Sequence, residues 1–168
     1  PVISFDTETT STDEMTAALV GISLATNEEA GHYIPIGHIS GAQLPLEQVL
    51  ATLRPALTDP RLPKIGHNLK FDLESVAKYY GGEVMPGPYA DTMILTHVLD
   101  ENFTQYSLKE LVMNWLNVPH NPAARKKFYP NLGKVGVHTQ PLDQVAEYLA
   151  KDVWYTHLYY RELLKLIR

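Results

Sequence analysis

The chain contains no cysteine, which excludes a disulfide framework and thiolate metal sites and suits a reducing compartment. It has no uninterrupted apolar run long enough to span a bilayer, no secretory leader pattern and no lipidation motif at either end. The expectation is therefore a soluble protein without a membrane partner. None of the 7 histidines falls in a tight ligand spacing such as His-Glu-x-x-His, so they read as structural or surface groups. Positive charge is also short, with 14 lysines and arginines against 19 aspartates and glutamates and a net charge of −5. That is the wrong sign for a module that grips a nucleic-acid backbone by its own charge alone. If the substrate is a polyanion, metal ions or a neighbouring domain must bring the missing positive charge.

What the chain does have is 168 residues with 45% hydrophobic and 20% charged content, enough apolar material for one domain, spanning residues 1–168, with a real core. Three β-like runs come first, at Val2 to Asp6, Ala18 to Ala25 and His32 to Ile36. Short polar connectors rich in Thr, Ser, Asp, Asn, Glu and Gly predict an antiparallel meander. Leu46, Val49, Leu50, Leu53 and Leu57 then recur at helical spacing behind Pro45, which predicts a helix over Pro45 to Leu57. A short buried strand at Lys64 to Gly66 and a helix from Asn68 to Tyr80, closed by Gly81 and Gly82, follow. Asp91 reads as the N-cap of a further helix, and Ser107-Leu108-Lys109-Glu110 as a capping box ahead of Leu111, Val112 and Trp115. Residues 117–140 carry three prolines, two glycines and the basic cluster Arg125-Lys126-Lys127 with little apolar periodicity, the pattern of a long functional loop. A long helix over Leu142 to Ile167 ends the chain. The sequence begins at its first strand and stops within that helix, as a domain cut from a longer protein would.

The first strand delivers Asp6 and Glu8 one residue apart. Alternate strand residues share a face, so two negative charges crowd together, which is costly unless a cation sits between them. Asp72 lies on the helix after the Lys64 strand, near the sheet end where ligands gather in α/β folds. Tyr148 and Asp152 sit four apart on the last helix and share one of its faces. Four carboxylates supply the oxygen donors that Mg²⁺ or Mn²⁺ prefer, and they suffice for a pair of such ions. A metal pair about 3.5–4 Å apart stabilises the attacking and leaving oxygens of phosphoryl transfer. Tyr148 orients water in such a site and is no strong base, since a phenol with a pKa near 10 stays protonated.

Phe5-Asp6-Thr7-Glu8-Thr9, Gly66-His67-Asn68-Leu69-Lys70-Phe71-Asp72 and Tyr148-x-x-x-Asp152, in this order and spacing, resemble the three motifs of the DEDD 3'→5' exonucleases, in the subgroup with tyrosine. Leu19 to Leu24, Tyr33 to His38, Ala90 to Leu95 and Ser107 to Leu111 bring the match closer to the proofreading exonuclease domain of family A, polymerase I-like DNA polymerases. The resemblance covers nearly the whole chain outside residues 117–140. It implies a ribonuclease H-like α/β fold, with a mixed sheet that begins as an antiparallel meander, gains parallel strands and is flanked by helices. It also implies removal of nucleoside monophosphates from the 3' end of single-stranded DNA with two divalent metal ions, Mg²⁺ or Mn²⁺. A polymerase domain in the same chain and the cytoplasm of a bacterial or phage-infected cell are the setting this implies.

Carried over by position, Asp6 bridges both metals, Glu8 and Asp152 complete the nucleophile-side metal, and Asp72 supports the second. Tyr148 positions the attacking water, Asn68 and Phe71 border the terminal nucleotide, and the backbone near Thr7 and Glu8 touches its 3' hydroxyl. Thr12 stands where family members often carry a leucine that wedges against the terminal bases. Phe128 is the candidate for the family's aromatic residue between the second and third motifs. A ribonuclease D-type RNA exonuclease with the same acids is the first alternative, and a non-catalytic scaffold domain of a polymerase is another. An aspartate-nucleophile phosphatase is disfavoured by Glu8 in the second acidic place and by Tyr148-x-x-x-Asp152 without the expected lysine motif.

Overall fold

A computed structural model describes residues 2–13, 16–82, 85–116 and 136–167. Three strands, β1 (Ile3–Thr9), β2 (Leu19–Ala25) and β3 (His32–Pro35), pair antiparallel as a meander. β1 runs three residues beyond its expected end at Asp6. Its acids and threonines look like turn residues locally, yet Asp6, Thr7, Glu8 and Thr9 each find a partner along β2, with a register irregularity between Glu8 and Thr9. Such a bulge re-aims side chains at a strand end.

Helix α1 (Leu46–Leu57) follows, with Pro45 at its N-cap position. Strand β4 (Lys64–Gly66) returns parallel to β1, and a strand the sequence pattern did not indicate, β5 (Tyr89–Asp91), lies parallel to β4 at the edge. The sheet order is β3-β2-β1-β4-β5, so β1 is central. Helix α2 (Leu69–Ala77) is shorter than expected, because Lys78–Tyr80 tighten into a 3₁₀ turn before Gly81 enters the left-handed region at φ 73°. α3 (Thr92–Leu99), α4 (Leu108–Leu116), a 3₁₀ turn at Val137–Thr139 within the expected loop, and α5 (Leu142–Leu166) complete the described elements.

Two apolar layers fix the sheet between helices. On one face Phe5 and Ile22 pack with Val49, Leu50 and Leu57 of α1 and Leu69 and Val76 of α2. On the other, Val20 meets Val145 and Leu149 of α5. α4 then lies on α5 through Leu111, Val112, Tyr159 and Leu163. Each fully buried Leu, Val or Phe contributes roughly 1.5–3 kcal/mol relative to exposure, so these layers set the position of every helix around β1. At Gly66 a Cβ would stand 2.6 Å from the Leu69 side chain and 3.3 Å from the Phe5 carbonyl oxygen. Only glycine lets α2 start that close to the central strand.

Candidate active site

β1 alternates between the two layers. Phe5 and Thr7 are buried, and Asp6 and Glu8 are only partly covered. Ser4, two residues before Asp6 and on its face, shares a 3.0 Å hydrogen bond with Nδ1 of His157 on α5. That contact orients α5 along the face from which Asp6 and Glu8 emerge. Because an α-helix repeats every 3.6 residues, Tyr148 and Asp152, one turn apart, lie upstream of His157 near those acids.

Asp72 arrives from α2 and is 3% exposed. Its Oδ1 accepts the Thr7 backbone N–H at 2.8 Å and the Thr7 hydroxyl at 2.6 Å. The last β1–β4 pair is Ser4 with Ile65, so Asp72 takes a β1 amide just beyond the point where the parallel ladder stops. The start of α2 is fixed by Asp91, whose two carboxylate oxygens accept the backbone N–H groups of Asn68 at 3.1 Å and Leu69 at 2.8 Å. The same side chain caps α3 through the Met93 N–H at 2.9 Å. Asn68 itself is held at φ 62°, ψ 44°, and its side chain makes no capping hydrogen bond. Its carboxamide therefore projects from a turn that Asp91 holds.

α4 adds a group the motif reading passed over. Lys109 donates from Nζ to Asp152 Oδ2 at 3.0 Å, with the two side chains only 24% and 18% exposed. The same ammonium lies 4.3 Å from the centroid of the Tyr148 ring, within cation–π range.

The electrostatics place these acids in one field. Burial first, then the charges of Asp72 and Asp152, push the Asp6 carboxyl well above the usual carboxylate range, against the pull of Lys109 and the Thr7 backbone. Glu8 is pushed to about 8 by burial and by Asp6 and Asp152, again opposed by Lys109. Asp72 rises to about 7, chiefly through burial, although both Thr7 hydrogen bonds pull it down. Crowded carboxylates hold protons when no stronger cation faces them. As the side chains stand, no group of three or more histidine, aspartate or glutamate residues among the described residues could hold a metal ion. The donor set nonetheless suits a hard divalent cation, because its carboxylate oxygens are mutually repelling and share little compensating charge.

The structure thus places Asp6, Glu8, Asp72 and Asp152 within reach of one another's charge, with Tyr148 beside Lys109 and Thr7 bound directly to Asp72. Asn68 is exposed and Phe71 half-buried at the start of α2, beside this cluster. Thr12 lies exposed in the turn after β1. Phe128 and the Arg125-Lys126-Lys127 cluster lie outside the described residues. His67 has both ring nitrogens engaged, by the Thr92 hydroxyl at 2.9 Å and the Tyr106 carbonyl at 2.7 Å, which makes it a structural group. Two roles were not read from sequence: Lys109 as a cation within the acidic cluster, and Asp91 as a cap shared by two helices. The signal for the first was the need of four converging acids for a counter-charge.

Comparison with known proteins places this geometry in a family. The family model described as 3'-5' exonuclease matches residues 1–168. DNA polymerase I of Chloroflexus aurantiacus is 36% identical over 157 residues, covering 93% of this chain and 16% of that polymerase. Among solved structures, Escherichia coli RNase D, described as an exoribonuclease involved in structured RNA processing, superposes with a TM-score of 0.71 at 25% identity, over 98% of this chain and 39% of that one. Brucella melitensis NrnC with bound Mg²⁺ gives a TM-score of 0.71 at 22% identity, over 98% of this chain and 72% of that one.

Proposed function

Since the chain belongs to the 3'-5' exonuclease family of family A DNA polymerases, we propose that it trims the 3' end of single-stranded DNA as the proofreading unit of a longer polymerase, releasing nucleoside 5'-monophosphates. The observation that carries this reading is the convergence of Asp6, Glu8, Asp72 and Asp152 on the central strand, in one electrostatic field. The matched polymerase is about six times longer, since this chain spans 16% of it. A polymerase partner in the same chain and a cytoplasmic setting accompany the reading. Among the described residues no helix is long and apolar enough to cross a membrane.

In this mechanism Asp6, Glu8, Asp72 and Asp152 would hold two divalent cations, Mg²⁺ or Mn²⁺. Bound there, the cations supply the positive charge that the scissile phosphate and its leaving oxygen require. The chain's own residues do the rest. Tyr148 holds the attacking water in line with the terminal phosphorus. The water oxygen gives up one proton to solvent and bonds to that phosphorus as the bond to the penultimate 3' oxygen breaks, and that oxygen takes up a proton from solvent, so the protons balance. Asn68 and Phe71 border the terminal nucleotide, and the Thr7–Glu8 backbone lies against its 3' hydroxyl. The Thr7 N–H is already committed to Asp72, so Thr7 acts chiefly by fixing that acid. Thr12, exposed just after β1, is the remaining substrate contact carried over by position.

Release of mononucleotides from matched DNA and RNA oligonucleotides with Mg²⁺ or Mn²⁺ tests this. Degradation of the DNA, stopped by EDTA, is the expected result. A folded, metal-binding chain that degrades neither polymer would refute the enzyme reading. Strong preference for RNA would promote the ribonuclease D-type reading, which the likeness to RNase D supports and which turns on recognition of the 2'-hydroxyl.

A further inference from the structure

Lys109 places a cation among the site acids, where the mechanism above would put divalent metal. Its stem rises from α4, whose Leu111 and Val112 are buried against Tyr159 and Leu163 of α5, so its reach toward Asp152 is set by a packed helix pair. Its ammonium contacts Asp152 Oδ2 at 3.0 Å and lies over the Tyr148 ring at 4.3 Å. It touches both residues of the third motif and is mostly buried with them. Its charge also reaches Asp6 and Glu8, so it acts on most of the acidic cluster.

We propose that Lys109 is a positioning residue that serves as the site's own counter-cation, competing with a divalent ion for Asp152 so that metal loading is an exchange of one cation for another. The proposal rests on the metal reading of the same acids given above. A partly buried ammonium cannot be left facing a divalent cation without strong repulsion. The Asp152 oxygen that Lys109 holds is one that a metal would claim. Loading therefore requires the ammonium to swing away from Asp152 and from the face of Tyr148. Its flexible four-carbon stem allows this while α4 stays in place. The exchange stabilises the folded acids before metal arrives and lowers affinity when it does.

Three measurements on the 168-residue chain test this. Mn²⁺ binding followed by electron paramagnetic resonance is expected to be about tenfold tighter in Lys109→Met than in the parent, because a unit charge beside the site has been removed. Lys109→Arg keeps that charge and is expected to remain within about twofold of the parent. A merely structural lysine would not tighten metal binding when removed. Unchanged or weaker Mn²⁺ binding by folded Lys109→Met overturns the proposal. Trace acetylation of the parent chain, read by mass spectrometry, needs no variant. Labelling of Lys109 is expected to rise when Mg²⁺ is added while that of buried Lys64 does not, and unchanged Lys109 labelling overturns the exchange. Failure of the parent to bind Mn²⁺ or Mg²⁺ at all would sink the metal reading itself, and the exchange with it.

Discussion

The two walls of the acidic site are built by different forces. On the α2 side Asp72 is held by a backbone N–H and a hydroxyl of Thr7, and the start of the helix that carries it donates two of its own backbone N–H groups, those of Asn68 and Leu69, to Asp91. On the α4–α5 side Asp152 is held by an ammonium that also lies over Tyr148. Hydrogen bonds to main chain fix direction and distance, and their loss leaves a buried carboxylate short of donors. A lysine contact fixes charge but little geometry, since its ammonium is a point charge on a flexible stem. One wall is a template, and the other is an adjustable clamp whose hold depends on which cations are present.

Breaking the floor that both walls share has the largest expected effect. Asp6→Ala with Glu8→Ala is expected to lower mononucleotide release by about 10³-fold or more, the scale of removing groups that stabilise transition-state charge. Circular dichroism should show the fold retained, because the substitutions remove two carboxyl groups that repel each other and Asp152. On the clamp side, Tyr148→Phe is expected to reduce kcat by about tenfold to hundredfold, as losing a group that orients a reactant does, with KM nearly unchanged in steady-state assays. On the template side, Asp91→Ala deprives three backbone N–H groups of their acceptor. It is expected to cost about 2 kcal/mol in urea unfolding, the upper end for a helix cap. Thr7→Val removes one of the two donors to Asp72 and is expected to cost about 1 kcal/mol.

The acids of the site also respond to pH, without any mutation. Glu8 and Asp72 bind their protons more tightly in the folded chain, up to about 8 and about 7, than in the unfolded one, where carboxyls titrate near pH 4. Between these values the folded state carries more protons, so stability falls as pH rises. In EDTA the melting temperature is expected to decline steadily from pH 5 to pH 8. Saturating Mg²⁺ is expected to flatten that decline, because metal ligation needs the deprotonated acids.

Much of this was legible in the chain. A period of two places Asp6 and Glu8 on one strand face, and Tyr148 and Asp152 lie one helical turn apart, so local geometry alone implied both pairs. The meander, α1 and α5 came from apolar periodicity, and α3 from Asp91 as an N-cap. β5 escaped because Tyr89-Ala90-Asp91 is a three-residue edge strand whose residues are exposed or half-buried, so unlike the equally short but fully buried β4 it carries no apolar signature. The extension of β1 through Thr9 escaped because pairing with β2, and not intrinsic preference, makes those residues a strand. Lys109 escaped for a related reason. Its bond to Asp152 spans 43 positions, and no periodicity reports a charge contact that tertiary packing creates.

The Thr7 amide has a use beyond architecture. Its proton points at the Asp72 carboxylate, whose affinity for a proton is poised at about 7. A backbone N–H bonded to a carboxylate is a charge-assisted donor, stronger and shorter than one bonded to the neutral acid. Its nuclear magnetic resonance signal should therefore move as Asp72 ionises or binds metal. A single main-chain atom on the central strand becomes a meter of the site's charge, readable without nucleic acid or turnover.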